Sequence, residues 1–222
     1  MTYRIFKRTM DIVFSLLTLI IIAPLFIPIM LVLRFSAEGE VFYMQRRIGY
    51  QNKAFSIIKF ATMMKNSLNM GTGSITLRND PRVTKPGKFL RKTKLNEVPQ
   101  LINIVMGDIS FVGPRPILES DFKLYSRYVQ GNIYRIKPGL TGIGSIVFRD
   151  EEELLSRKEV VDPHKFYKEI IAPYKGDLEL WYQQNMSFFV DLKLLILTFL
   201  VVLSPKIQYQ NRWFTDLPPR NF

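Results

Sequence analysis

Any chemistry this chain performs must come from carboxylates, cations and amides. It has no cysteine and a single histidine, His164. Thiolate nucleophiles, thiolate metal sites and disulfides are therefore excluded. No Ser-His or Cys-His catalytic pair can be assembled, and no common glycine-rich nucleotide loop is present. The remaining reactive groups concentrate in residues 88–116. Asn96 and Glu97 stand side by side at the start of a predicted helix. An acidic residue there complements the helix dipole. It equally suits a divalent cation whose phosphate ligands lie at the same positive helix end. Arg91 precedes that point by about one turn. Arg115 is fixed in Gly113-Pro114-Arg115-Pro116, which lowers the entropy lost when its guanidinium clamps an anion.

These groups need elements to hold them. Leu95, Val98, Leu101, Ile102 and Val105 recur at helical spacing. Asn96 is the predicted N-cap, Pro99 is tolerated in the first turn, and Gly107 suits the far end. Residues 41–43 and 55–58 read as short strands around a turn at 49–52. Residues 66–74 and 79–81 read as loop and turn, and 138–142 as a turn-rich loop. Residues 118–129 read as a further helix, and 151–159 and 163–172 as helical and mostly solvated. Residues 192–203 are apolar apart from Lys193 and Thr198 but short for a crossing; they read as a core helix or as one lying at a membrane surface.

The composition narrows the setting. Lys plus Arg exceed Asp plus Glu by 31 − 19 = 12, which favours an anionic partner: nucleic acid, lipid headgroups or phosphorylated substrates. Residues 12–33 are apolar except for Ser15, Thr18, Pro24 and Pro28, long enough for a membrane helix. Arg4, Lys7 and Arg8 precede this run, and Arg34 ends it. Positive flanks favour the cytoplasmic side, so a segment that dips in and returns satisfies both ends. Pro24 supplies a bend by removing a backbone donor. A proline-kinked crossing helix is the other reading.

Several ordered motifs resemble one family. They are Gln45-Arg46-Arg47-Ile48-Gly49, Lys59-Phe60, Asn79-Asp80-Pro81-Arg82-Val83-Thr84 and Gly87-Lys88-Phe89-Leu90-Arg91-Lys92-Thr93. Leu95-Asn96-Glu97-Val98-Pro99-Gln100-Leu101, Gly107-Asp108-Ile109-Ser110-Phe111-Val112-Gly113-Pro114-Arg115-Pro116, Lys137-Pro138-Gly139-Leu140-Thr141-Gly142 and Asp191-Leu192-Lys193 continue the pattern. Together they resemble the bacterial sugar transferases, the monotopic phosphoglycosyl transferases, over residues 3–203. The resemblance implies transfer of a sugar-1-phosphate from a UDP-sugar to a polyprenyl phosphate, with release of UMP and a requirement for Mg2+. It implies a mostly helical α+β fold with a re-entrant membrane helix over residues 1–36, bent at Pro24. A catalytic domain with a small β-hairpin (37–205) and a tail (206–222) follow. The domain is expected on the cytoplasmic face of the inner membrane, among anionic lipids.

By the same resemblance, Glu97 is the magnesium-linked glutamate, and Lys59, Arg91 and Arg115 serve substrate phosphates. Asp80, Arg82, Asp108 and Asp191 are further site candidates. Two positions depart from the family pattern. The family commonly has Asp-Glu at the helix start, with the aspartate as covalent nucleophile; here the pair is Asn96-Glu97. The usual arginine after Lys59-Phe60 is Ala61. A neutral amide is not a competent nucleophile, so a catalytically silent binder of the same fold is the alternative reading. Nucleic acid is suggested by charge alone, without a recognised binding module.

Overall fold

The computed structural model describes residues 2–36, 38–73, 75–203, 210–220 and 222. Its first element, α1, is a helix of 33 residues, Thr2–Arg34. The break expected at Pro24 is absent: the helix runs through Pro24 and Pro28. Each proline lacks the N–H that would bond the carbonyl four residues back. The carbonyls of Ile20 and Pro24 thus lose their usual partners, which weakens the middle of α1 without ending it.

One stripe of α1 faces the rest of the protein along its whole length. Asp11 and Ser15 are buried, Leu19 packs beside Leu101, Ile104 and Ile109, and Phe26, Ile29, Met30 and Leu33 pack with Phe60 and Leu90. The opposite face is bare: Val13, Phe14, Leu17, Ile20, Ile21 and Leu31 are exposed. Among the described residues, this is the one helix long and apolar enough to cross a membrane, by length and composition.

The expected hairpin is present. Strands β1 (Phe42–Ile48) and β2 (Ala54–Phe60) pair antiparallel, with Tyr43 opposite Lys59 and Arg47 opposite Phe55. Helix α2 (Lys85–Lys92) begins at Thr84, whose hydroxyl accepts from the Gly87 N–H at 3.1 Å. Lys94 then takes a left-handed conformation (φ 62°) and a 3-10 turn follows, Leu95–Glu97. Helix α3 begins only at Gln100 and runs to Met106, ended by left-handed Gly107. The predicted capping role of Asn96 is therefore not observed. Pro99 precedes the helix, and the Asn96 Oδ1 is buried with no partner.

A pairing missed in the sequence joins β3 (Ser110–Val112) to β4 (Gly139–Thr141), in parallel. Gly113 must be glycine here, because a Cβ would lie 2.5 Å from the Lys137 carbonyl oxygen. The single helix expected over 118–129 is two, α4 (Glu119–Phe122) and α5 (Arg127–Asn132), since the Ser126 hydroxyl caps a fresh start. Short helices α6 (Ile143–Val147), α7 (Glu151–Leu155) and α8 (Pro163–Phe166) lead into α9 (Ala172–Asn185). The segment 163–172 is not solvated throughout: Ile171 and Ala172 are fully buried, because α9 is the centre of the main core. Helix α10 (Phe188–Leu203) buries Leu194, Leu197 and Val201 and exposes Phe189, Ile196 and Phe199. It is a core helix on one face and a bare apolar surface on the other. Past α11 (Gln210–Trp213), Phe214 packs on Trp181, and the Tyr174 hydroxyl donates to the Pro218 carbonyl.

Candidate functional site

Glu97 ends the 3-10 turn between α2 and α3, with 15% of its side chain exposed. Lys59 reaches its Oε1 from β2 at 3.2 Å, and Arg115 reaches the same oxygen at 3.5 Å. No hydrogen bond meets Oε2 among the described residues. Burial alone would raise the Glu97 carboxyl, but the charges of Lys59, Arg115 and Lys94 outweigh it and hold it well below the usual carboxylate range. Burial pushes the Lys59 ammonium down to about 8 against the pull of Glu97. Arg149 also acts on Glu97. Four cations thus face one carboxylate, an arrangement that leaves room for further negative charge.

Arg115 is held by its backbone. Its N–H donates to Glu179 Oε1 at 3.2 Å, and its carbonyl accepts from the Tyr134 hydroxyl at 2.7 Å. The hairpin is tied to the same loop by the Ile48 N–H, which donates to the Ile117 carbonyl at 2.9 Å. The guanidinium keeps 38% of its surface exposed, so a diffusing anion can reach it.

The structure sorts the other predicted residues. Arg91 pairs with Glu152 of α7, not with Glu97. Asp80 and Arg82 form a buried pair, and Arg82 donates to the carbonyls of Ser67, Met70, Gly73 and Ile75. They hold the preceding loop in shape. Asp108 accepts from Asn103, which also bridges to β2 through Ser56 and Ile58. Asp191 accepts from Tyr3, Lys7 and Tyr182, fastening α10 to the start of α1. None of these four touches the Glu97 cluster.

Three cations and one acid escaped the sequence reading as site residues. Arg47 lies on the same hairpin face as Lys59, since cross-strand partners share a face and the pleat has period two. Burial and the neighbouring Arg115 push its guanidinium down to about 10. Lys94 directly precedes the turn that carries Glu97. Arg149 arrives from a distant stretch of chain, and only folding reveals it.

The acid is Glu179, 3% exposed in the middle of α9 beneath the Arg115 loop. Its signal was a carboxylate set directly among Leu178, Leu180, Trp181 and Tyr182. Gly144 makes the space, because a Cβ there would collide with the Glu179 carboxylate. Glu179 Oε2 has no partner. Burial pushes this carboxyl up to about 7, against the Arg115 N–H and the charges of Lys175 and Arg115. A carboxyl raised on folding binds its proton more tightly in the folded state. Its contribution to stability is present in full below the ordinary glutamate range and is lost as pH rises through about 7. Glu179→Gln is expected to flatten that dependence, worth on the order of 3 kcal/mol across the window. Urea unfolding of both proteins at several pH values from the ordinary glutamate range to above about 7 checks this. An unchanged slope in the variant would place the titration elsewhere.

A magnesium ion fits these residues when it shares its coordination with substrate phosphate. Among the described residues no group of three or more His, Asp or Glu is assembled, so these residues build no complete cage. Magnesium is commonly held by one or two carboxylates plus phosphates. Glu97 offers its carboxylate, and Asn96 offers a buried amide oxygen that lacks a partner.

The family model for bacterial sugar transferases matches residues 2–205. The exopolysaccharide production protein ExoY of Sinorhizobium fredii is 34% identical over 217 residues, covering 91% of this chain and 88% of that protein. The uncharacterized sugar transferase EpsL of Bacillus subtilis is 34% identical, covering 93% and 92%. The UDP-glucose:undecaprenyl-phosphate glucose-1-phosphate transferase of Escherichia coli is 35% identical over 198 residues, covering 88% of this chain and 39% of that longer protein.

Proposed function

Because this chain belongs to the bacterial sugar transferase family, we propose that it transfers a sugar-1-phosphate from a UDP-sugar to a polyprenyl phosphate, releasing UMP. The relative from Escherichia coli is named for this reaction with glucose. The observation that carries the reading to this chain is the Glu97 cluster, with Lys59, Lys94, Arg115 and Arg149 around a single carboxylate. Phosphoryl transfer asks for positioning and charge neutralisation more than for elaborate side chains.

Lys59 and Arg115 bind and orient the diphosphate. Glu97 and the Asn96 amide oxygen would hold a magnesium ion, which would supply charge neutralisation on the phosphate oxygens. An oxygen of the polyprenyl phosphate attacks the sugar-bearing phosphorus. The bond from that phosphorus to the bridging oxygen breaks, and UMP leaves with that oxygen. Arg115 is positioned to meet the charge that builds on the transferring group. Glu97 is a poor stand-in for the missing aspartate nucleophile: its carboxylate is clasped by Lys59 and Arg115, and its lowered pKa makes it a weaker nucleophile. UMP release with polyprenyl phosphate and a panel of UDP-sugars tests the function. Binding of both substrates without UMP from any donor would favour the silent binder that Asn96 also suits.

The enzyme sits on the cytoplasmic face of the membrane, with both ends of α1 on that side. Support comes from where α1 is fastened. Its start is held by Asp191 and by the Ile104 and Val105 carbonyls, which accept from Arg8. Its end is held by Phe60 and Leu90. A straight helix of this length spans about 48 Å, and one crossing a bilayer would carry one end away from the domain. Single cysteines at Thr2 and Ser36 are both expected to resist an impermeant thiol reagent in intact cells. Labelling of either from outside would overturn the topology.

A further inference from the structure

A second basic site lies at the start of α1, apart from the Glu97 cluster. A cavity of about 190 Å³ is lined by Arg4, Lys7, Arg8, Arg135 and Lys137, with Asp11 in its wall. None of its lining residues is one of those around Glu97. Lys7 is matched by Asp191, and Asp11 and Asp108 both act on Lys137. Five cations against these three acids leave an excess of 5 − 3 = 2 positive charges.

The cations are unevenly engaged. Arg8 is spent on the Ile104 and Val105 carbonyls. Among the described residues the Arg135 side chain donates only to the Gly131 carbonyl. Arg4 and Lys137 make no hydrogen bond or ion pair among the described residues. Lys137 and Arg8 nevertheless converge: a Cβ on Gly107 would lie 3.2 Å from the Lys137 Nζ and 3.1 Å from an Arg8 nitrogen. Burial, then the Arg8 charge, push the Lys137 ammonium below its ordinary value. Asp11 and Asp108 offset part of this repulsion, and the remaining excess of positive charge favours an added anion.

The surroundings say what carries that anion. Tyr50, Ser110, Val112, Ile136 and Met186 complete the wall. Ile5 and Phe6 directly follow Arg4 and are exposed, and Phe6 packs on exposed Phe188 of α10. The basic lining thus adjoins exposed apolar residues at the starts of α1 and α10. A free phosphate has no use for that apolar border, whereas a phosphodiester carried on acyl chains uses both. We propose that this cavity binds the phosphodiester headgroup of an anionic membrane phospholipid, with Arg4 and Lys137 as its principal partners.

Native mass spectrometry of the detergent-solubilised full chain, titrated with phosphatidylglycerol or phosphatidylcholine, counts bound lipids directly. The wild type is expected to retain one phosphatidylglycerol at concentrations about 25-fold below those for phosphatidylcholine, in keeping with about fivefold for each of two basic side chains. Arg4→Gln with Lys137→Gln should abolish that preference. Lys123→Gln with Arg127→Gln removes the same charge elsewhere and should keep it. Equal loss in both double variants would reduce the effect to net charge and overturn the site. So would displacement of the lipid by inorganic phosphate, which would make this a site for free anions. Arg4→Gln alone, altering an exposed side chain without partners, keeps the test open should the double variant fold poorly. The readout is independent of UMP release, so its failure and that of the proposed transfer reaction are distinguishable.

Discussion

Glu97→Gln is expected to lower UMP release by about 100-fold or more, the scale seen when one stabilising group is removed from a charged transition state. The expectation rests on two losses, not one. The variant removes the anionic oxygen assigned to magnesium, so activity should no longer respond to magnesium in the wild-type range. It also removes the charge that supports Lys59. That ammonium stands at about 8 because burial drives it down while Glu97 pulls it up. Without Glu97 it should fall further and be largely uncharged at neutral pH. In the wild type, activity that depends on charged Lys59 is full below about 8 and declines as pH rises through it. In the variant the decline should begin at lower pH. UMP release measured across neutral and mildly alkaline pH, at several magnesium concentrations, separates the two losses. Near-normal turnover with unchanged magnesium dependence would contradict both roles. Arg115→Lys offers a companion test: it keeps the charge but loses the planar fork, and should lose rate with little change in pH profile.

Much of the fold is written locally, and its sequence signals are correspondingly plain. The hairpin shows in strand residues flanking a turn, and the long apolar run of α1 is unmistakable. What escaped is non-local. The parallel pairing of β3 with β4 brings together Ser110 and Gly139, and three-residue strands carry no periodic signal. Within the site, Glu97 and Arg115 stood out because their neighbours are unusual: an adjacent amide and two flanking prolines. Asp80, Arg82, Asp108 and Asp191 stood out equally as motif residues, yet each serves to hold loops or helices together. A motif marks what the fold requires, and a buried ion pair that gathers four carbonyls, as Arg82 does, is required as firmly as a substrate contact. Arg91, expected from the family pattern to serve substrate phosphates, pairs with Glu152 of α7, a contact between distant stretches of chain that the sequence does not display.

Asn96 is expected to carry no phosphosugar adduct under any donor, although the enzyme turns over. An amide nitrogen is delocalised into its carbonyl and offers no usable lone pair, so the covalent step assigned to aspartate in the family cannot occur here. The position is otherwise well placed: Asn96 is 7% exposed, adjoins Glu97, and has an unpartnered Oδ1. Direct attack by polyprenyl phosphate leaves Glu97 in one role and makes two commitments. UMP should not appear when the UDP-sugar is supplied without the acceptor lipid, and intact-protein mass spectrometry of that mixture should show the unmodified chain. A sugar-phosphate mass mapped to Glu97 would refute direct attack and make that carboxylate the nucleophile despite its two cationic partners. Asn96→Asp reverses the chemistry with a near-isosteric change. It restores a carboxylate beside Glu97, among cations able to hold it ionised, and should yield both an early, acceptor-independent release of UMP and an adduct at position 96. An aspartate variant that stays free of adduct while turning over normally would mean that this site runs direct transfer whichever residue occupies the position.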